Sequence, residues 1–140
     1  MTTLRAATTD DIAEVLALWQ QTEDVLPTTT DSIGGVKALL ARDASGLLLA
    51  EDGGRVIGTL IVGWDGWRGN LYRMAVHPDY RRRGVARALV DSAEAQLARL
   101  GCRRISALVD DGEPHAAAVW AAAGYERRAE MSRFYKNASP

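Results

Sequence analysis

Apolar residues recur at helical spacing in several stretches of the chain. Over 12–19 they stand at i, i+3, i+4 and i+7, the stripe of a helix that buries one face. The longest stripe covers 85–100 and is followed by Gly101, a residue type that commonly ends helices. Weaker stripes over 33–40 and 114–124 predict two more helices, the first disfavoured by the glycine pair at its start.

Short apolar runs bounded by turn signals predict the strands. They cover residues 3–7, 47–50, 56–62, 71–76 and 104–109, with a closing strand pair over 126–136. Leu71 and Met74 are both apolar but three residues apart, so a regular strand would place them on opposite faces. This spacing predicts a β-bulge near 74–75.

The order of these elements predicts the fold class. Read along the chain it is β-α-α-β-β-β-α-β-α-β-β, which is typical of an α/β (α+β) domain with a mixed sheet. The helix after Gly84 would form a strand–helix–strand crossover. A length of 140 residues predicts one domain, spanning 1–140.

Composition and charge exclude several classes of function. Apolar residues make up 47% of the chain and the net charge is −1, so no broad basic field draws it to nucleic acid or to an anionic membrane. Cys102 is the single cysteine, and His77 and His115 are the two histidines, which disfavours a disulfide or a metal site. No signal peptide or membrane-length apolar run is visible, so we expect a cytoplasmic protein.

The segment Arg81-Arg-Arg-Gly84-Val-Ala86 carries the chemistry. It lies between a predicted strand and the start of a predicted helix, where unpaired N–H groups and a partial positive charge attract anions. Gly84 lets the backbone approach a bulky anion, which suits a phosphate or pyrophosphate. The segment matches neither the Lys-Ser/Thr phosphate loop nor the three-glycine dinucleotide motif, so ATP and NAD are disfavoured.

These residues resemble the acetyl-CoA signature of the GNAT N-acetyltransferase family, Gln/Arg-x-x-Gly-x-Gly/Ala. The preceding stretch 74–78 resembles the family's fourth strand and its exit. The stretch 120–125 resembles the family's aromatic-x-x-x-Gly-Phe/Tyr ending. The resemblance covers nearly the whole chain and implies a mixed sheet of about seven strands with four helices, splayed between the fourth and fifth strands.

The resemblance also implies acetyl-CoA as co-substrate, without a metal. Amides of 82–87 would hold the pyrophosphate, and arginine side chains would reach the 3′-phosphate. The pantetheine arm would pair with 74–76, where the N–H of Val76 would polarise the acetyl carbonyl as an oxyanion donor. The implied cofactor-binding residues are Met74, Ala75, Val76, Arg81, Arg82, Arg83, Gly84, Val85, Ala86, Arg87, Glu113 and Trp120.

The chain departs from the family at two positions that often hold Asn and Tyr. They are Glu113 and Trp120, and an indole carries no acidic proton near neutral pH. We expect Trp120 to wall the thioester end of the pantetheine tunnel. Tyr125 and Tyr135 are weak replacements as acid, and packing is the preferred interpretation of both. The weak candidates for general base are Asp110 first, then Asp111, Asp65 and Glu51.

The acceptor amine is the least determined feature. Trp19, Trp67 and Tyr72 are weak candidates to contact it. The leading hypothesis is direct attack by a primary amine of a small molecule. The first alternative is a protein or peptide acetyltransferase acting on an N-terminal or lysine amine, and an open groove instead of a pocket roofed by 22–31 would distinguish it. The second is a non-catalytic acyl-CoA-binding module, motivated by Trp120. The resemblance also implies a homodimer, formed through the last strands or through the region of the fourth strand.

Overall fold

The computed structural model describes residues 2–22, 28–110 and 114–138. The helices are α1 (Ile12–Gln21), α2 (Ile33–Arg42), α3 (Val85–Arg99) and α4 (Pro114–Ala122). The strands are β1 (Thr2–Ala6), β2 (Leu47–Asp52), β3 (Arg55–Trp64), β4 (Gly69–Val76) and β5 (Ile105–Ala107). Single 3₁₀ turns at Thr9–Asp11 and Pro78–Tyr80 lead into α1 and the loop before α3.

One mixed sheet organises these elements, in the order β1-β2-β3-β4-β5. The first four strands pair antiparallel, and β5 runs parallel to β4. Helix α3 makes the connection from β4 to β5, as the predicted crossover requires. The predicted α/β class is confirmed.

Both faces of the sheet are buried, which explains why β2 reads as a continuous apolar run. Leu48 and Ala50 pack in the core under α3, whereas Leu47 and Leu49 pack under α1 and α2. Side chains alternate between the faces of a strand, so a strand covered on both faces has no polar positions along its centre. The sheet therefore separates a core under α3 from an opposite core under α1 and α2.

Of the glycine pair that disfavoured α2, Gly35 has a packing reason, whereas a Cβ at Gly34 would meet no atom within 4 Å. Ser32 caps the helix by accepting the N–H of Gly35 at 3.0 Å. A Cβ added at residue 35 would collide with the carbonyl oxygen of Thr30. The turn before α2 therefore needs a glycine at that position, whatever the helix loses in propensity.

The predicted β-bulge is present in β4, one residue earlier than expected. Thr59 pairs with Ala75 and Ile61 pairs with Tyr72, so β4 carries one extra residue. Arg73 takes φ +55 within the bulge, a left-handed conformation that is rare for side chains other than glycine. The extra residue lets Leu71 and Met74 contact the same core under α3, which accounts for their odd spacing.

β4 and β5 separate after a short paired segment. Gly69–Leu71 pairs with Ile105–Ala107, and the N–H of Leu108 extends the pairing with a bond to the carbonyl of Leu71. Beyond Leu71 no pairing joins the two strands within the described residues. The predicted splay between the fourth and fifth strands is therefore present, and it opens toward Val76.

The predicted closing strand pair over 126–136 is wrong. This stretch forms no strand, and each of its residues is exposed, so the sheet has five strands where the resemblance implied about seven. β5 pairs over three residues and offers too short an edge to hold two further strands. The apolar Met131, Phe134 and Tyr135 are consequently left exposed. No helix within the described residues is long and apolar enough to cross a bilayer.

Candidate active site

A cleft of about 630 Å³ opens between the end of β4, the start of α3 and α4. This volume lies within the range of sites for cofactors and small molecules. The strand and loop side is lined by Met74, Val76, Pro78, Tyr80, Arg81, Arg82, Gly84, Val85, Ala86 and Arg87. The facing wall is α4, through His115, Ala116, Ala118, Val119 and Ala122. The cleft thus gathers most of the residues that the sequence assigned to the cofactor.

The mouth of the cleft is the uncapped N-terminus of α3. The first intrahelical bond runs from Ala88 N–H to the carbonyl of Gly84 at 3.0 Å, and no side chain caps the helix. The N–H groups of Val85, Ala86 and Arg87 therefore have no partner within the helix. These donors and the helix dipole favour an anion at this position.

The turn before α3 presents its backbone in the same direction. Arg82 has φ +62 and Gly84 has φ +78, so two residues with left-handed backbone angles flank Arg83. Alternating backbone conformations of this kind form concave N–H clusters that bind anions. A Cβ added at residue 84 would meet no atom within 4 Å. Glycine is therefore favoured here by the backbone angle, and the space beside it stays open for a ligand.

Two arginine side chains near the start of α3 already contact other protein groups. Arg83 stacks over the ring of Tyr80 at 5.1 Å. Arg87 donates to Asp91 and to the carbonyl of Ala122, both at 3.1 Å, and so ties α3 to the end of α4. Arg87 thus connects the two walls of the cleft.

The end of β4 supplies the floor of the cleft. Met74 and Val76 line it, whereas the side chain of Ala75 packs on the opposite face under α1. The N–H of His77 bonds to the carbonyl of Ile57 on β3. Because successive N–H groups point to opposite edges of a strand, the N–H of Val76 points to the open edge, into the splay. That is the direction the predicted oxyanion donor requires.

Different faces of helix α4 contact the cleft and the core. His115, Ala118 and Ala122 line the cleft, at the spacing of one helix face. Trp120 lies on another face, 5% exposed within the core under α3, with its ring edge-on to Tyr125 at 5.0 Å between centroids. Trp120 therefore packs in the core and is not among the residues that line the cleft. Glu113 lies outside the described residues.

The alanines of α4 are the cleft residues that the sequence analysis missed. Ala118 and Ala122 recur four residues apart beside Val119. A run of small residues on a helix is the available signal, because small side chains leave room for a ligand against the backbone. Pro78 and Tyr80 were missed as well, since nothing in the segment 77–80 signals which side of the strand exit faces the cleft.

The two tyrosines considered as acids do not fit that role. The hydroxyl of Tyr125 donates to Glu94 on α3 at 2.8 Å. Burial, and then this bond to Glu94, raise the pKa of Tyr125 well above its usual value, so the phenol holds its proton more tightly. Tyr135 is 82% exposed in the segment after α4. Packing accounts for Tyr125, and neither hydroxyl lines the cleft.

Three of the four candidate carboxylates can be placed. Asp65 accepts the N–H groups of Trp67 and Arg68, which lower its pKa and hold it in its own turn. Glu51 pairs with Arg5 at 2.7 Å on the first strands, and its pKa is lowered by that bond. Asp110 is partly buried just beyond β5, the strand that borders the splay. Asp110 therefore stays the candidate base, and Asp111 lies outside the described residues.

The three aromatic residues considered as contacts for the acceptor amine lie in different parts of the structure. Trp19 is buried and donates its indole N–H to Thr59 at 2.8 Å, so it belongs to the core. Trp67 is 72% exposed in the β3–β4 turn under Arg68, about nine strand residues or roughly 30 Å from Val76. It is too distant to touch a reacting amine. Tyr72 is partly buried beside the bulge.

The two histidines lie on different sides of β4. His77 faces the α1 side, where Arg55 contacts its Nε2 at 2.9 Å and the N–H of Asp79 donates to its Nδ1. His115 is exposed, as expected, and lines the cleft. Within the residues that the structure describes, no three His, Cys, Asp or Glu side chains converge to hold a metal ion.

The sequence matches known acetyltransferases. Residues 12–125 match the profile of the acetyltransferase (GNAT) family. The protein named Acetyltransferase SG1711 from Sodalis glossinidius (strain morsitans) is 40% identical over 100 residues, which cover 71% of this chain and 70% of that protein.

The fold matches solved acetyltransferases as well. A predicted acetyltransferase with acetyl-CoA from Clostridium acetobutylicum is 16% identical, with a TM-score of 0.76 and coverage of 96% of both chains. Aminoglycoside N-acetyltransferase AAC(6′)-Iy in complex with CoA is 20% identical, with a TM-score of 0.75 and coverage of 98% of this chain and 95% of that one. At these identities the likeness establishes the fold.

Proposed function

Because this chain belongs to the GNAT family of acetyltransferases, we propose that it transfers the acetyl group of acetyl-CoA to a primary amine of a small molecule. Membership makes the chain an acyltransferase of the N-acetyltransferase class. The observation that carries the proposal is the uncapped N-terminus of α3 beside the left-handed turn at 82–84, opening into a cleft along β4.

The pyrophosphate of acetyl-CoA binds at the start of α3 in this proposal. The N–H groups of Val85, Ala86 and Arg87, with those of the preceding turn, donate to its oxygens. The pantetheine arm lies between β4 and α4, where Ala118 and Val119 leave room for it. The acetyl carbonyl then reaches the open edge of β4 at Val76.

Direct attack accounts for the reaction without a nucleophilic side chain. The amine nitrogen forms a bond to the acetyl carbon, and the bond from that carbon to sulfur breaks. The nitrogen gives up its second proton to the departing thiolate or to water, which leaves the neutral amide. The N–H of Val76 donates to the carbonyl oxygen as negative charge develops there. The acceptor must first lose a proton from its ammonium form, and Asp110 is proposed as the base.

The leaving thiolate needs no protein acid in this scheme. Trp120 is in the core and Tyr125 is bonded to Glu94. A thiol titrates near 8–9 if cysteine is a guide, so a thiolate is a tolerable leaving group at neutral pH. The non-catalytic alternative rested on Trp120 replacing an acid in the cleft. The non-catalytic module therefore stays the second alternative, because no tyrosine hydroxyl stands in the place of that acid.

The test is acetyl-CoA-dependent thiol release over a panel of amines. The panel contains aminoglycosides, polyamines and other small primary amines, together with peptides that offer an N-terminal amine or a lysine. We expect turnover with members of the small-molecule set and a mass increase of one acetyl group on the product. Turnover confined to peptides would replace the proposal by the protein or peptide alternative. Acetyl-CoA binding without turnover on any amine would favour the non-catalytic module. A cytoplasmic location and a homodimer stay predictions.

A further inference from the structure

The bulge in β4 contains an arginine whose backbone is in an unfavourable conformation. Arg73 has φ +55, a region that glycine enters readily and branched or long side chains avoid. Such residues persist where the surrounding contacts over-determine them, and they cluster at functional sites. Met74 and Val76, which follow the bulge, line the cofactor cleft. The backbone angle at Arg73 therefore sets the direction in which the cleft-facing residues of β4 run.

Side chains on the opposite face of the sheet clamp this residue. The guanidinium forms a two-pronged ion pair with Asp31, with Arg73 Nε 2.9 Å from the carboxylate and a second contact through its terminal nitrogen. It also lies 5.3 Å from the centre of the Trp19 ring. Both partners of the ion pair are largely buried, at 12% and 13% side-chain exposure. Burial lowers the pKa of Arg73 to about 10, which leaves the guanidinium charged at neutral pH.

A second set of bonds clamps the backbone of the same residue. The hydroxyl of Thr59, fully buried on β3, donates to the carbonyl of Arg73 at 2.9 Å. That hydroxyl accepts the indole N–H of Trp19 at 2.8 Å. Asp31 in turn accepts the N–H of Thr28 at 2.7 Å, which closes the turn before α2. Arg73 thus links α1, the turn at 28–31 and the bulge in one continuous network.

We propose that Arg73 is a positioning residue for acetyl transfer: its clamp by Asp31, Trp19 and Thr59 holds the bulge so that the N–H of Val76 meets the acetyl carbonyl. The inference rests on the proposed function, because the N–H acts only on a bound acetyl group. Arg73 itself faces away from the cleft, so it acts through the backbone that follows it. The ion pair supplies the interaction that keeps a long side chain at a glycine-like angle.

The experiment measures the carbonyl stretch of bound acetyl-CoA, labelled with carbon-13 at the carbonyl, by difference infrared spectroscopy. In the wild type we expect the stretch to lie below its value in free acetyl-CoA, as hydrogen bonding to the oxygen requires. Arg73→Gly removes the clamp, and a glycine enters φ +55 and leaves it with equal ease, so the bulge is no longer held and the stretch moves toward the free value. Removing an oxyanion donor lowers kcat by about 10²–10³, so a misdirected donor lowers it by roughly tenfold or more. The Kd of acetyl-CoA changes less than about threefold, because the α3 cradle is intact.

Asp31→Asn repeats the test without touching β4 and serves if Arg73→Gly fails to fold. Arg73→Lys keeps the charge but not the two-pronged pairing, so its kcat should lie between Arg73→Gly and the wild type. The matched control is Asp11→Asn. Like Asp31, Asp11 accepts the backbone N–H of the residue three positions earlier, here Thr8, at 2.7 Å. It also forms two hydrogen bonds with the guanidinium of Arg5, each 2.8 Å long, but it does not line the cleft. This control should leave the carbonyl stretch and kcat unchanged.

The outcomes separate this inference from the proposed function. If the wild type binds no acetyl-CoA, the proposed function is wrong. If the wild type shows the lowered stretch and Arg73→Gly and Asp31→Asn keep both it and kcat, the positioning role alone is wrong. If both variants lose stability but retain the stretch and kcat at temperatures where they are folded, Arg73 is purely structural and the inference is equally overturned.

Discussion

Replacing Gly84 by glutamate should abolish acetyl-CoA binding while leaving the protein folded. Gly84 precedes α3 with φ +78, and a Cβ added there meets no atom within 4 Å. The substitution therefore creates no collision in the free protein. Its stability effect comes from the left-handed angle alone, about 1–2 kcal/mol for a residue with a side chain. A carboxylate at the N-terminus of a helix recovers part of this through the helix dipole, about 0.3–1 kcal/mol.

The effect of the substitution on the bound ligand is electrostatic repulsion. A carboxylate about 5 Å from a phosphate charge repels it by about 1–3 kcal/mol, between the dielectric of water and that of a protein surface. Each 1.4 kcal/mol is about a tenfold change, so one such repulsion weakens binding roughly 5- to 150-fold. A pyrophosphate places more than one charge at the helix start. We therefore expect at least a 100-fold increase in the Kd of acetyl-CoA.

Thermal unfolding with and without acetyl-CoA measures this directly. At about 100 times the wild-type Kd, a ligand that binds the native state stabilises it by about 2.7 kcal/mol. For a chain of this size that raises Tm by about 8–11 °C, at roughly 3–4 °C per kcal/mol. With a Kd 100-fold higher, the same ligand concentration stabilises Gly84→Glu by about 0.4 kcal/mol, a shift of about 1 °C. Titration calorimetry gives the Kd independently.

Gly101 provides the matched control at the other end of α3. It has φ +87, and an added Cβ there also meets no atom within 4 Å. Gly101→Glu places its charge at the unfavourable end of the helix dipole, so this variant should be the less stable of the two without ligand. It should nevertheless keep the full Tm shift with acetyl-CoA. A wild-type shift in Gly84→Glu, or an equal loss in both variants, would refute the phosphate cradle at the start of α3.

Three further predictions follow from the site and the core. Trp120→Phe should keep most of kcat because the ring is in the core. Trp120→Ala should lower the free energy of unfolding by about 3–5 kcal/mol, measured by denaturant unfolding. A collapse of kcat in folded Trp120→Phe would contradict this. Tyr125→Phe should leave kcat unchanged and lower stability by about 1 kcal/mol, since it removes the bond to Glu94. Arg5, and less so the N–H of Thr8, lower the pKa of Asp11 from 3.8 to about 2, so this carboxylate stabilises the fold above about pH 4 and the contribution is lost as pH falls toward 2. Asp11→Asn should therefore lose about 1 kcal/mol at pH 7, after allowance for solvent exposure, and show a weaker decline of stability on acidification.

The turn before α3 and most elements of the sheet were determined by short, contiguous stretches of sequence. The signature over 81–86, the stripe of α3 and the glycine after it are each read within one or two turns of chain. The bulge in β4 followed from the three-residue spacing of Leu71 and Met74, because side-chain alternation is a local property of a strand. Such features depend on neighbours in the sequence, so periodicity and turn chemistry suffice to find them.

The tertiary structure alone decided which surfaces these elements use and where each polar side chain finds its partner. Trp120 and the alanines of α4 are equally apolar, so the sequence did not say that the ring packs under α3 while Ala118 and Ala122 line the cleft. Tyr125 meets Glu94 across 31 residues, and Arg73 meets Asp31 across 42. No local pattern encodes such pairs, because they form only after the sheet has brought distant segments together. For the same reason the strand pattern over 126–136 misled: a strand needs an edge to pair with, and β5 ends after three residues.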